Sequence, residues 1–256
     1  MLVIACFFIA HWYLSLFFQT FFLHRYAAHH AFTMSKRTEK VFYFLTWFFQ
    51  GSNYLSPYGY GVMHRMHHAY ADTENDPHSP TYDETIWNMM WKTKTIYSDI
   101  TNRKIVVDKR FTDGVPDWTA FDNFARSWPS RLFWAIVYTS VYVIYAPSPW
   151  FFLLLPIHFL MSPIHGAIIN WFAHKYGYRN FEVRDTSKNF LPVDFLMMGE
   201  SYHNNHHKNG GSANFGGIRW HEIDPTYVVI RVLSLCGVIE FSKQKQLVVD
   251  DVKKAA

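Results

Sequence analysis

Cysteine is nearly missing from this chain: Cys6 and Cys236 are the only two in 256 residues. They are too few for a disulfide framework, and without a CxxC spacing they support neither a zinc site nor a thioredoxin-type site. Charge is scarce too, at 17% Asp, Glu, Lys and Arg with a net charge of +4. The Lys and Arg residues lie mostly between or after apolar spans, which reads as anchoring at a membrane surface and speaks against nucleic acid as a partner. GGSANFGG is rich in glycine but is not a GxGxxG between a strand and a helix, so no nucleotide site is read there. The first residues show neither a basic stretch nor a small-residue cleavage site, the marks of a secretory signal. Against these absences stand 50% hydrophobic residues, 20% aromatics and 15 histidines.

Residues 2 to 23 carry no formal charge and are long enough to cross a hydrocarbon layer of about 30 Å. Two further apolar stretches, 131 to 146 and 150 to 172, are separated by PSP and read as a helical hairpin, with Pro156 and Pro163 expected to kink its second arm. A fourth, 41 to 56, is interrupted by Gln50, Gly51, Ser52 and Asn53. It is read as an amphipathic or re-entrant segment against the membrane face. Residues 226 to 239 are expected to pack on that face as well. The fold class expected is an all-α integral membrane protein of one domain over 1–256, with about three transmembrane helices capped by a cytosolic helical portion.

The histidines decide what the polar portion is for. GVMHRMHH places His64, His67 and His68 at i, i+3 and i+4, one face of a helix. ESYHNNHH repeats the spacing with His203, His206 and His207, and FLHRYAAHH adds His24 and His29. A crossing at 41 to 56 would leave His24 and His29 on the opposite side of the membrane from His64, His67 and His68, so that segment is expected to return to the side it left. The hairpin likewise returns the chain, placing Asn170, His174 and the last cluster with the others. At about 100° per residue, Asn170 and His174 share a face of the second hairpin helix, while His158 and His165 fall opposite and are read as packing residues. His11, within the first span, is read as a hydrogen-bonded buried histidine. Asp72, Asp76 and Glu200 are expected to hydrogen-bond the ligands, as turn chemistry around Pro77 favours for the first two. His78 is read the same way.

Nine imidazoles at one surface exceed what one ion takes, and two metals fit the count. Imidazole suits several metals. With no evident general base beside a hydrolytic water and with greasy walls nearby, a pair of irons performing oxygen chemistry on a hydrocarbon is expected.

HRYAAH at 24 to 29, HRMHH at 64 to 68 and HNNHH at 203 to 207 resemble the three histidine boxes of the membrane-bound fatty-acid desaturases. HHAYADTENDPH and NWFAHKYGYR are most similar to the acyl-CoA (stearoyl-CoA, Δ9) desaturases, and the likeness runs from residue 15 to 221. The resemblance implies a non-haem di-iron enzyme that uses O2 and two electrons to place a cis double bond in a saturated acyl chain. It implies His24, His29, His64, His67, His68, His174, His203, His206 and His207 as iron ligands and Asn170 as holder of a metal-bound water, with no catalytic residue beyond these. A bent tunnel lined from the first span and the 41 to 56 segment would hold the chain.

Many animal members carry Arg and Asp where this chain has Val62 and Met63, and an Arg pair where it has Ser79 and Pro80. The expected acyl carrier is CoA, with acyl carrier protein or a phospholipid ester as alternatives. The sequence starts without the additional helix that often precedes the first box. Neither HPGG nor a ferredoxin cysteine set occurs, so electrons are expected from a separate protein such as ferredoxin or cytochrome b5 with its reductase. The tail VKKAA resembles a dilysine retrieval signal, yet the lack of fused modules points to a bacterial inner membrane rather than the endoplasmic reticulum. The competing readings are a histidine-box hydroxylase or ketolase and, from another class, a membrane metal carrier or haem-binding electron conduit. The last two predict histidines facing each other inside the spans.

Overall fold

The computed structural model describes residues 1–242, and the VKKAA tail lies outside them. Helix dominates. The β-structure with named strands among the described residues is one antiparallel pair, Phe32–Thr33 against Glu240–Phe241.

Helix α1 (Leu2–Phe18) continues without a break into a wider π-wound segment, Gln19–Ala28. Together, Leu2–Ala28 is the one continuous helix among the described residues that is long and apolar enough to cross a membrane. The pair Pro149–Phe159 and Met161–Lys175 passes the same test as one span, bent by 68°. The bend falls at Leu160, and its cause is local. Pro163 has no N–H to give the carbonyl of Phe159, four residues earlier, so the helix breaks just before it. Pro156 does not produce a second bend of this kind, because it occupies the first turn of Leu155–Phe159, where an N–H is not required.

Helix α2 (Lys36–Gln50) starts at Ser35, whose side chain accepts the Thr38 N–H. Phe42, Tyr43, Thr46 and Gln50 are buried while Val41, Phe44 and Phe48 are exposed, so the segment is amphipathic. Its buried face lies along α1 through stacked and tilted rings: Phe18 with Phe49 at 5.1 Å between centroids and Phe21 with Phe42 at 4.8 Å. Each such pair adds about 0.5–1.5 kcal/mol beyond simple burial. The helix stops at Gly51, which has φ +58° and lies where any Cβ would meet the Tyr138 hydroxyl. The Gln50 side chain then accepts the Leu55 N–H, and the chain turns back.

Helix α3 (Pro57–Tyr70) follows, with Ser56 as N-cap and Pro57 in the first turn. It packs against the π-wound part of α1 on one side and on helix α4 (Ile86–Thr101) on the other. The Trp128–Tyr145 helix joins α1 and the bent helix in a second apolar core of Ile4, Trp134, Tyr138, Tyr142 and Leu155. The Pro225–Leu235 helix buries Ile230 and leaves Val228, Val232 and Leu235 exposed.

Candidate metal centre

The first cluster is built by the unusual winding of α1. His24 and His29 are five apart, and an α-helix would leave them about 140° from one another. The Gln19–Ala28 segment is instead π-wound, and at its end the His29 N–H closes an i→i+5 bond to the His24 carbonyl at 3.1 Å. Wider winding brings both imidazoles to one side. Helix α3 supplies His64, His67 and His68 from a single face, and the short helix His203–Lys208 supplies His203, His206 and His207. His174 comes from the end of the bent helix, where Ile168–Phe172 is again π-wound.

The nine side chains fall into two groups. His24, His29, His64, His68 and His206 form one, and His67, His174, His203 and His207 the other; within each, ligand atoms lie within 4.8 Å of one another. Nε2 atoms face each other at 3.0 Å for His24 and His206, 2.8 Å for His29 and His64, and 2.9 Å for His68 and His206. In the second group the separations are 3.2 Å for His67 and His207 and 3.1 Å for His174 and His203.

The Nδ1 atoms point the other way, toward carboxylates. His24 Nδ1–H donates to Glu200 at 2.7 Å, His67 to Asp76 at 2.9 Å and His207 to Asp185 at 2.9 Å. His174 Nδ1 lies 3.1 Å from the Thr186 hydroxyl, which itself donates to Asp72 at 2.7 Å. With Nδ1–H committed in this way, the Nε2 lone pairs of His24, His67 and His207 are aimed at neighbouring nitrogens, an arrangement stable only with a cation between them. Ring nitrogens bound at about 2.1 Å and at right angles to one another would stand about 3.0 Å apart, as observed. The donor set therefore fits a pair of imidazole-binding metal ions.

Burial acts in the same direction. It pushes His64, His68, His203, His206 and His207 well below the ordinary imidazole value of 6.5, and neighbouring imidazoles push further. These rings are neutral at physiological pH, the form that ligates. Burial alone would raise the Asp76 carboxyl, but the charge of His67 and its hydrogen bond outweigh it and leave Asp76 at about 2. Glu200 is lowered in the same manner by His24, with help from Arg25 and the Thr20 hydroxyl. Such carboxylates fix tautomer and ring orientation. Asp76→Asn and Asp185→Asn are each expected to weaken metal binding by about 10- to 100-fold, measured by competition with a chelator of known affinity.

A cavity of about 50 Å³ opens between the two groups, bordered by His24 and His64 from the first and His203 from the second. Leu16, Met63, Ile169 and Met197 form its apolar wall, and Asn170 lines it with Gln19 and His165. The Leu2–Ala28 helix contributes Leu16, Gln19 and His24. The 41 to 56 segment contributes none of the lining: its place is taken by α3 and the bent helix, because α2 spends its inward face on the α1 aromatics.

The remaining histidines divide. His11 and His158 pair inside the apolar core with Nδ1 atoms 2.6 Å apart, and their Nε2 atoms meet the hydroxyls of Tyr138 at 3.3 Å and Tyr142 at 2.9 Å. That gap is too small to hold a haem iron, which needs about 4 Å between opposed nitrogens at ~2.0 Å each. His165, read as a packing residue, packs edge to face on Trp12 and also lines the cavity, and His78 lies tilted against His67 at 4.2 Å between centroids. Neither has a hydrogen-bond partner within the protein. The sequence reading missed Asp185. Its only signal was position, a carboxylate beside Thr186 in RDTSKN.

The class that fold and site define is an all-helical chain with one helix long and apolar enough to cross a membrane and two histidine groups that could hold metal ions beside a part-apolar cavity. Sequence comparison gives the family. Residues 1–234 match the fatty acid desaturase family, and this chain belongs to it. Its relatives include Delta-9 desaturase-like 5 protein of Arabidopsis thaliana, 29% identical over 88% of this chain and 74% of the relative. The sn-1 stearoyl-lipid 9-desaturase of Synechocystis sp. is 30% identical over 84% of this chain and 64% of the relative. Delta-9 acyl-lipid desaturase 1 of Arabidopsis thaliana is 28% identical over 84% and 67%. The chain is thus a desaturase-family oxidoreductase related to the Δ9 desaturases. Relatives from both a cyanobacterium and a plant remove the basis for preferring a bacterial inner membrane to the endoplasmic reticulum.

Proposed function

We propose that this chain is a single-domain acyl desaturase that places a cis double bond at the Δ9 position of a saturated fatty acyl chain, using O2 and two electrons. The observation that carries the proposal is the convergence of nine imidazoles from four separate segments into two groups, bordering a cavity with an apolar wall through His24, His64 and His203. His24, His29, His64, His68 and His206 would hold one iron and His67, His174, His203 and His207 the other, with Asn170 placed to hold a metal-bound water. Bound iron supplies the activation of O2 that C–H cleavage at an unactivated methylene requires. The chain's own task is placement. Leu16, Met63, Ile169 and Met197 set one C–C bond beside the metals, and geometry distinguishes methylenes that chemistry does not. Glu200, Asp76, Asp185 and the Thr186–Asp72 pair hold the imidazoles as neutral ligands.

In this reading α1, the Trp128–Tyr145 helix and the bent helix cross the membrane, α2 is re-entrant, and the histidines face the cytosol. The acyl carrier is CoA or a glycerolipid ester, the latter supported by relatives named for stearoyl-lipid and acyl-lipid substrates. Electrons arrive from a separate carrier such as ferredoxin or cytochrome b5 with its reductase.

Gas chromatography of fatty acids, with double-bond localisation, from cells with and without the chain tests the proposal. A new cis-monounsaturated acid at C9 is expected. Hydroxylated or keto products would move the protein to the related histidine-box chemistry, and unchanged lipids despite two bound irons and a supplied electron donor would overturn it.

A further inference from the structure

Two polar side chains in the cavity wall have no role among the ligands or the carboxylates behind them. His165 is 1% exposed and Gln19 7% exposed. Neither ring nitrogen of His165, nor Oε1 of Gln19, has a hydrogen-bond partner in the protein. His165 belongs to neither metal group. Its ring is held by packing, edge to face with Trp12 at 4.5 Å between centroids, so its nitrogens remain available to the cavity it lines. Gln19 enters the same space from the π-wound segment and Asn170 from the turn after His165.

Buried polar atoms without protein partners are satisfied by ordered water when the space is polar and large enough. Both conditions hold. About 50 Å³ admits a few water molecules, and Gln19, His165 and Asn170 offer the several partners each needs. A dry cavity of this size would need purely apolar walls.

We propose that Gln19 and His165 hold ordered water in this cavity, and that this water delivers the protons consumed in the reaction. The inference rests on the desaturase reading above. Per double bond, two C–H bonds break and one C=C bond forms, while O2 takes up the two hydrogens, two electrons from the reduced carrier protein and two protons from solvent to leave two waters. Two protons must therefore reach a centre of which six of the nine proposed ligands are buried and the other three partly buried. Water anchored on His165 and Gln19 gives them a place to arrive from and gives product water a place to leave to. Both residues are positioning residues, acting through the water they hold.

The test has two arms. The first is a water-resolving structure of the chain in lipid nanodiscs, with and without iron, for the wild type and His165→Leu. Density at hydrogen-bond distance from His165 and Gln19 in the wild type, lost beside residue 165 in the variant, is expected; a dry wild-type cavity overturns the proposal. The second counts double bonds formed per O2 consumed, together with peroxide released. His165→Leu and Gln19→Leu are expected to lower product per O2 by about 100-fold while O2 consumption continues, the lower end of proton-transfer effects, with His165→Asn recovering part of the loss. Unchanged coupling in the leucine variants overturns the proton role even where water is seen. A wild type that makes no double bond defeats the desaturase reading, and the water density still decides the first half separately.

Discussion

Replacing His206 by alanine is expected to abolish double-bond formation, to below about 1% of wild type, and to release one of two irons. The loss should exceed the 10- to 100-fold that follows removal of a group merely supporting a ligand. His206 joins two other members of the five-histidine group: its Nε2 lies 3.0 Å from that of His24 and 2.9 Å from that of His68. His67→Ala should do the same to the four-histidine group, and it also leaves the buried Asp76 without the imidazole that opposes its desolvation. Iron analysis beside a lipid profile separates the outcomes. Variants that keep two irons and full activity would remove these residues from the centre, and variants with one iron and no product would place each group's metal in the reaction. The double variant should hold no iron.

The second large effect concerns folding. Arg25 is fully buried, with its guanidinium over the Phe215 ring at 4.0 Å, 2.9 Å from Asp224 and donating to the Ala213 carbonyl at 3.0 Å. Burial raises the Asp224 carboxyl and Arg25 opposes that rise. Asp224 also caps the Pro225–Leu235 helix by accepting the Tyr227 N–H, and it accepts the Phe215 N–H. Arg25→Met would leave that carboxylate buried and unopposed, at a cost of about 3–5 kcal/mol. Thermal unfolding in detergent should fall by about 10 °C or more. Arg25→Met with Asp224→Asn removes both charges and keeps an oxygen for the cap, so a good part of the loss should return. If the single variant unfolds like wild type, the ion pair contributes nothing and the aromatic and cap contacts suffice.

The histidine clusters were legible because helical spacing is a rule of one dimension. Three boxes and the Asn170–His174 pair could be placed on faces by counting, and the parity of crossings placed them on one side. Other features depend on three dimensions. His24 and His29 belong together only through i→i+5 bonds, and nothing in the letters HRYAAH distinguishes that winding from an α-helix. The π-wound stretch Ile168–Phe172 and the break at Leu160 shift the phase of the second hairpin arm, so His165, assigned to the packing face, turned toward the cavity. Asp185 reaches His207 across a loop, where no periodicity speaks. The end of α2 was visible in Gln50 and Gly51, but not that the neighbouring cavity wall would come from α3.

The order of the ligands along the chain bears on how the protein is made. Each metal group is completed only by the helix His203–Lys208: the first awaits His206, and the second awaits His203 and His207. A nascent chain that has emerged only to Lys175 already carries six of the nine imidazoles and has closed neither group. On the proposed metal-binding reading, loading of either group would therefore wait for the His203–Lys208 helix to emerge. Once in place, the ions would tie the Leu2–Ala28 helix and α3 to the His203–Lys208 helix. Truncation before His203 should yield a membrane-inserted polypeptide with no capacity to retain iron.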